Sequence, residues 1–517
     1  MRGDSWHRRR VSFERLGGHR FDVLVIGAGI VGSRIAYEAA CDGLSVALVD
    51  AGDFGGATSS ASSKLLHGGL RYLSTGDIGL VRRLQAERRA IATRIAPHLV
   101  APFPLVLTVE GRSRTRAAKL NLALPLYAGL SRCSRPLPRR LSIGTAEALI
   151  PPIRGESVTS CGIVTEALTH DARLTLATVR AAADAGATTA SHVRVVELER
   201  ELGRVAAAVL EDVVTGERLR MKFRAVVNAT GPWLDLVRSL EDVRSTPLVR
   251  LSKGVHVVVP RVGAWQAGLA LFDDSGTAIA ITWQGMLLLG ATDTPHEADP
   301  TRLAVDRTDI RQVLDRFANV LPPEQLRKDR VAHTFAGLRV LARGEPPTAQ
   351  ARRRHVIAVG PGGMVSIAGG KLTTHRLIAM DALRHLPAEV RPRRRSPRDQ
   401  PLGYPCSHAS ESLLRARLDS DTAIHLIRLY GEDVRRIAAY EDYVPDAFDR
   451  IHPQGPDVWA QVDFGRDEEW ALTVDDIVRR RTTLAVRGLG SGPVAEAVRK
   501  RLASSDGLVK AECRSVN

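Results

Sequence analysis

Cysteine is scarce: Cys41, Cys133, Cys161, Cys406 and Cys513 are the only five in 517 residues, odd in number and without CxxC spacing. That excludes a disulfide framework and a zinc ribbon, and it suits a reducing cytoplasm. Aromatic residues make up 4% and do not interleave with the arginine clusters. Without stacking residues set among cations, and without a zinc-finger or RNA-binding signature, a nucleic-acid partner is not expected. No run of eighteen apolar residues offers a helical membrane span. Residues 1–20 include Arg8-Arg9-Arg10 but no apolar stretch before the first strand. Neither a secretory nor a twin-arginine signal is indicated, so they read as a loose basic arm.

What is present can fill large cores: 44% of residues are hydrophobic, and the length exceeds one ordinary domain, so two or three are expected. The net charge of +16 is concentrated in residues 1–20, 112–140 and 391–398. In the middle cluster Arg112, Arg114, Arg116 and Lys119 lead into Leu120, Leu122, Leu124, Leu126 and Tyr127, then Arg132, Arg135, Arg139 and Arg140. This reads either as a helix hairpin over the core with a solvated basic face or as a contact for anionic lipid. The Arg391–Arg398 run alternates proline with arginine and reads as a solvated linker. Beyond it Asp421–Tyr430, with Gly431 ending it, and Val474–Thr483 show helical spacing. A helical C-terminal domain is therefore expected over 401–490, with a weakly ordered tail at 491–517.

The first chemistry-bearing pattern follows the apolar run Phe21–Ile26, which enters Gly27-Ala28-Gly29-Ile30-Val31-Gly32. In a βαβ unit Gly27 permits the tight turn, Gly29 lets backbone approach a pyrophosphate at the helix N-terminus, and Gly32 lets the helix pack on the strand. The helix should run to about Cys41. A second strand, Ser45–Val49, ends at Asp50, whose carboxylate is placed to accept ribose hydroxyls. Strand, glycines, helix, strand and acid in this order point to dinucleotide binding.

FAD is preferred over NAD because the chain returns to the nucleotide twice. Ala225–Gly231 reads Ala-Val-Val-Asn-Ala-Thr-Gly, ending in the small residues Ala229, Thr230 and Gly231, after probable strands at Val193–Leu198 and Ala206–Val214. The second return is the strand Val356–Val359, followed by Gly369-Gly370-Lys371-Leu372-Thr373-Thr374-His375-Arg376 opening a helix. A positive helix start beside a flavin stabilises an anionic reduced ring.

Three blocks carry a resemblance. Thr58-Ser59-Ser60-Ala61-Ser62-Ser63-Lys64-Leu65-Leu66-His67-Gly68-Gly69-Leu70-Arg71-Tyr72-Leu73, Ala229-Thr230-Gly231-Pro232-Trp233 and Gly369-Gly370-Lys371-Leu372-Thr373-Thr374 occur in that order. The chain resembles the FAD-dependent glycerol-3-phosphate dehydrogenases over about residues 20–485, including Lys253-Gly254-Val255-His256, Gly290-Ala291-Thr292-Asp293 and the stretch from Asp475 to Thr482.

The resemblance implies an α/β fold, a Rossmann-like FAD-binding domain of the D-amino-acid-oxidase type with an interleaved antiparallel-sheet substrate domain. FAD segments would lie at about 21–80, 160–240 and 350–390, and substrate or cap segments at 81–159 and 241–349. It also implies oxidation of sn-glycerol 3-phosphate to dihydroxyacetone phosphate, hydride passing to the flavin and electrons leaving to a quinone or another acceptor. Localisation would be cytoplasmic, peripheral on the inner face of the membrane, and a homodimer is compatible with it. A related oxidase or dehydrogenase of another hydroxy or amino substrate is the alternative.

A dianionic phosphate calls for fixed cations, and the guanidinium fork supplies paired donors. By the resemblance Arg71, Arg339, Arg353 and Lys371 contact substrate, with Tyr72 and Thr373. His256 is the expected base, assisted catalytically by Arg339, because imidazole titrates near working pH. Cofactor contacts are assigned to Gly27, Ala28, Gly29, Gly32, Asp50, Thr58, Ser59, Ser60, Ser63, Lys64, His67, Gly68, Ala229, Thr230, Gly231, Gly370, Lys371, Leu372 and Thr373; no metal site is expected. Asp171, Arg173 and Leu174 match a helix-opening element in which Asp171 serves as an N-cap or first-turn acid. His375 stands where tyrosine is usual, Ala61 where arginine is common, and Thr165-Glu166-Ala167 replaces an aromatic stretch. These departures bear on substrate identity.

Overall fold

Val23 and Val25 are buried on one face of the first strand, Arg20–Ile26, and Leu24 and Ile26 on the other. Alternation with both sides apolar is the mark of a strand covered on both faces. In this computed structural model, which describes residues 5–111, 114–130, 137–273, 276–344 and 355–514, that strand lies inside an eight-stranded sheet. It pairs in parallel with Val46–Val49, through Val23 opposite Val46, and with Arg218–Asn228, through Val23 opposite Ala225. Val365–Ala368 continues the sheet beyond Arg218–Asn228. The antiparallel pair Val193–Glu201 and Arg204–Asp212 extends it.

Helices Ile30–Cys41, Asp171–Asp184 and His375–Leu383 cover one face, packing Ile35, Leu176, Val179, Ile378 and Leu383 on Val23, Val25 and Leu48. Each such side chain contributes about 1.5–3 kcal/mol when taken from water. The opposite face carries Phe21, Leu24, Phe223 and Val226 and is covered by Phe13 and Leu16. Those two belong to a helix, Ser5–Gly18, so the arm expected at 1–20 is helical from Ser5 on; residues 1–4 lie outside the described residues. Its anchor is Arg9, buried, whose guanidinium donates at 2.7 Å to each carboxylate oxygen of Asp212. No local pattern signals this contact, because the partner lies 203 positions away.

A second, ten-stranded sheet stands against the first. Its long members include Val100–Glu110 with Val158–Thr169 and Val249–Pro260 with His333–Ala342, both antiparallel pairs. The basic segment is a single helix, Arg114–Leu130, rather than a hairpin; residues 112–113 and 131–136, with Arg112, Arg132 and Arg135, lie outside the described residues. Leu120, Leu124 and Tyr127 are buried on the sheet, while Leu122 and Leu126 are exposed.

The C-terminal part is helical, with Ser420–Tyr430 and Trp459–Glu469 packed around Leu426, Tyr430, Ile437 and Phe464. Two expectations are corrected there. The tail continues as a helix, Pro493–Arg514, pinned by Arg501 to Asp446 and Asp463. The arginine-proline linker is strapped along helix Ile30–Cys41: Arg398 donates to the Cys41 carbonyl at 2.8 Å and to Asp42 at 3.0 Å, and its amide to Glu38. Of the arginines in that run, Arg391, Arg393, Arg394 and Arg395 face solvent and Arg398 does not.

Candidate active site

The glycine turn after the first strand is spatially compelled. A Cβ on Gly27 would lie 2.8 Å from the Ala229 carbonyl oxygen, and one on Gly32 would lie 1.9 Å from the Gly27 carbonyl oxygen. The first keeps the two parallel strand ends together; the second lets the helix sit on the turn. Ser59 accepts from the Ile30 amide at 2.9 Å, which holds its loop over the helix N-terminus. Asp50 accepts from the Ala28 amide at 2.7 Å and the Gly52 amide at 3.0 Å. Burial nevertheless pushes its pKa up to about 6, the two amides opposing the rise.

These groups open into a cavity of about 1250 Å³ between the two sheets. Gly27, Gly29, Asp50, Thr58, Ser59, Ser63, His67, Ala229, Thr230, Gly231, Gly370, Lys371, Leu372 and Thr373 all reach its wall. The helix-start amides, the glycine cradle that a Cβ would fill, the terminal acid and the long cavity fit FAD.

Five expected cofactor contacts do not reach that wall: Ala28, Gly32, Ser60, Lys64 and Gly68. Ala28 and Gly32 shape the turn from behind. Gly68 gives its amide to Glu166 at 2.7 Å, and a Cβ there would strike the Tyr127 hydroxyl. Lys64 turns away from the cavity with a left-handed backbone, φ 60°. Its buried ammonium donates to Asp171 at 2.8 and 3.0 Å and to the Ser60 carbonyl at 2.7 Å. An ammonium removed from water needs such a counter-charge. His170 is the N-cap of the following helix and Asp171 is the acid of its first turn, where it also pairs with Lys64 and Ser62.

The substrate side is built on the second sheet. His256 lies on strand Val249–Pro260, opposite Phe335 on one neighbour and Gly290 on the other. Its ring stacks on Phe335 with centroids 4.9 Å apart, and its Nε2 is 2.9 Å from the Ser63 hydroxyl. Gly290 makes room: a Cβ there would come 2.3 Å from the imidazole. Burial, with Arg339 and Lys64 adding positive charge, pushes the His256 pKa down to about 3, so the ring is neutral at working pH.

Two residues back on the same face, Gly254 leaves space that the Arg339 guanidinium fills; a Cβ at Gly254 would lie 2.6 Å from it. Arg339 faces Asp293 at 3.5 Å. Across the cavity, Lys371 Nζ sits 5.0 Å from the ring centroid of Tyr72, and Thr373 lies beside them, buried. His256, Arg339, Lys371, Tyr72 and Thr373 thus share one cavity. Arg353 and the side chain of Arg71 lie outside the described residues; the Arg71 backbone belongs to the turn Leu70–Thr75.

Sequence reasoning missed three contributors. Glu166, in the altered 165–167 stretch, reaches the cavity wall and accepts from Gly68, Arg88 and Tyr127. Asp293 orients Arg339; its block was visible, but its partner was not. Thr473, Asp475, Asp476 and Arg480 enter the cavity from the C-terminal domain. His375 is the converse case: buried, with Nδ1 2.7 Å from the Leu372 carbonyl oxygen, it belongs to the core and not to the cavity wall.

Residues 22–376 match the sequence pattern of the family described as FAD dependent oxidoreductase, and residues 399–507 match the C-terminal domain of alpha-glycerophosphate oxidase. A glycerol-3-phosphate dehydrogenase of Mycobacterium leprae is 34% identical over 491 residues, 93% of this chain and 83% of that protein. The mitochondrial glycerol-3-phosphate dehydrogenase of Homo sapiens is 32% identical over 498 residues, 90% of this chain and 67% of that protein. Among solved structures, the glycerol-3-phosphate dehydrogenase from Bacillus halodurans complexed with FAD shares the fold with a TM-score of 0.77 at 24% identity, over 97% of this chain and 94% of that one.

Proposed function

Because the chain belongs to the glycerol-3-phosphate dehydrogenase family of FAD-dependent oxidoreductases, we propose that it oxidises sn-glycerol 3-phosphate to dihydroxyacetone phosphate. The observation that carries this reading is one cavity lined by a neutral imidazole beside a guanidinium and by an ammonium. FAD supplies the two-electron oxidant for the carbinol carbon. Arg339 and Lys371 provide the positive charge that a phosphate dianion requires, and Arg339 offers paired donors. His256, kept neutral, accepts the hydroxyl proton, help typically worth ~10²- to 10⁴-fold in rate. Phosphate bound to Arg339 also offsets one of the two cations that depress His256, so the base strengthens as substrate arrives.

In this reading the electron acceptor is a quinone at an anionic inner-membrane surface. Support comes from helix Arg114–Leu130, where the exposed cations Arg114 and Lys119 precede the exposed Leu122 and Leu126. Among the described residues no helix is long and apolar enough to cross a membrane, so contact would be peripheral.

The test is product analysis under anaerobic conditions with a quinone analogue, with and without vesicles containing anionic lipid. Dihydroxyacetone phosphate formed in step with quinone reduction, and protein floating with anionic but not neutral vesicles, is expected. Peroxide formed in air with no response to quinone points to an oxidase.

A further inference from the structure

The end of the cavity nearest Asp50 is partly walled by residues of the C-terminal domain: Thr473, Asp475, Asp476 and Arg480. In a dinucleotide fold the acid ending the second strand meets the ribose, so this is the nucleoside end of the site. The walls there are tied together by a buried ionic network. Arg480 donates through Nε to Asp53, 427 positions away in the chain. Arg481 donates to both oxygens of the same carboxylate, at 2.5 and 2.7 Å. A second Arg480 nitrogen reaches Asp476 at 2.9 Å.

Asp476 in turn accepts from the Leu472 and Thr473 amides, each at 2.9 Å, and lies 3.3 Å from His192 Nε2. The His192 amide donates to the Gly52 carbonyl at 2.9 Å, and the Val193 amide to the Asp50 carbonyl at 2.7 Å. The Gly52–Asp53 turn beside Asp50 is therefore held in part from the C-terminal domain.

We propose that the C-terminal helical domain is a retaining clamp for FAD: Arg480 and Asp476 are positioning residues that hold the Gly52–Asp53 turn, and Thr473 and Asp475 wall the nucleoside end. The clamp acts on how long the cofactor stays, separately from the carbinol chemistry at His256. A charged hydrogen-bond pair removed from such a network corresponds to about tenfold or more in affinity.

The test is FAD release from the purified holoenzyme, followed by recovery of flavin fluorescence, for wild type, Arg480→Lys and Arg480→Gln, alongside the melting temperature of each apo-protein. Release about tenfold faster in Arg480→Gln and intermediate in Arg480→Lys, with apo-protein melting little changed, is expected. Wild-type release rates, or faster release matched by an equal loss of apo-protein stability, overturn the clamp. If Arg480→Gln does not fold, hydrogen exchange on the wild-type chain decides. Removing FAD should expose the 472–481 amides, and unchanged protection there contradicts the proposal.

Discussion

Lys64 sits in the most recognisable block of the chain yet points away from the cofactor cavity, because the nearest carboxylate able to neutralise a buried ammonium is Asp171. The block's position in the fold is legible from sequence; the direction of one side chain is not, since it depends on a partner 107 residues on. Asp293 beside Arg339 and Glu166 beneath Gly68 were hidden for the same reason. The candidate cations follow from the resemblance of their sequence blocks. At this scale Arg339→Ala and Lys371→Ala should each lower kcat/KM for sn-glycerol 3-phosphate by about 10- to 150-fold, the range for a charged hydrogen bond. Both proteins should keep bound FAD. Steady-state kinetics with the flavin absorbance as a check decides it, and unchanged kcat/KM in both variants removes these residues from the site.

The βαβ element was the most legible, because strand, glycine turn, helix and acid are local and each glycine has one steric task. Gly32→Ala puts a methyl where the Gly27 carbonyl oxygen stands, 1.9 Å away. Since backbone on both sides is fixed by the sheet, the helix must shift, and a loss of several kcal/mol, about 3 or more, is expected. The measurement is soluble yield and bound flavin; a well-folded, yellow Gly32→Ala protein contradicts the packing described. The terminal helices were not legible. Ser5–Gly18 is rich in arginine and looks solvated until the apolar spacing of Phe13 and Leu16 meets the apolar sheet face that they help to cover. The Arg391–Arg398 run likewise looks free until the acids of helix Ile30–Cys41 are in place.

Across the whole molecule, burial sets the response to acid. His98 and His333 are pushed down to about 4, His256 and His375 to about 3, and His170 well below its usual value, in each case first by removal from water. An unfolded histidine takes up a proton near pH 6.5. Between that pH and about 4 the unfolded chain therefore binds protons that the folded chain does not, and stability falls as pH drops. Asp50, raised to about 6, and Glu87, raised by burial, act in the opposite sense but are two groups against five. Melting temperature should accordingly decline from pH 7 to pH 5 in calorimetry, and a flat or rising profile contradicts the buried, neutral state of these rings.

Stopped-flow absorbance of the FAD-loaded enzyme under anaerobic conditions probes the whole assembled cavity in one experiment. Mixing with sn-glycerol 3-phosphate should bleach the oxidised-flavin band, while glycerol and the opposite enantiomer should not. A flavin that stays oxidised with sn-glycerol 3-phosphate, or that is bleached equally by glycerol, contradicts the assignment of Arg339, Lys371 and His256 to a phosphate-anchored carbinol substrate.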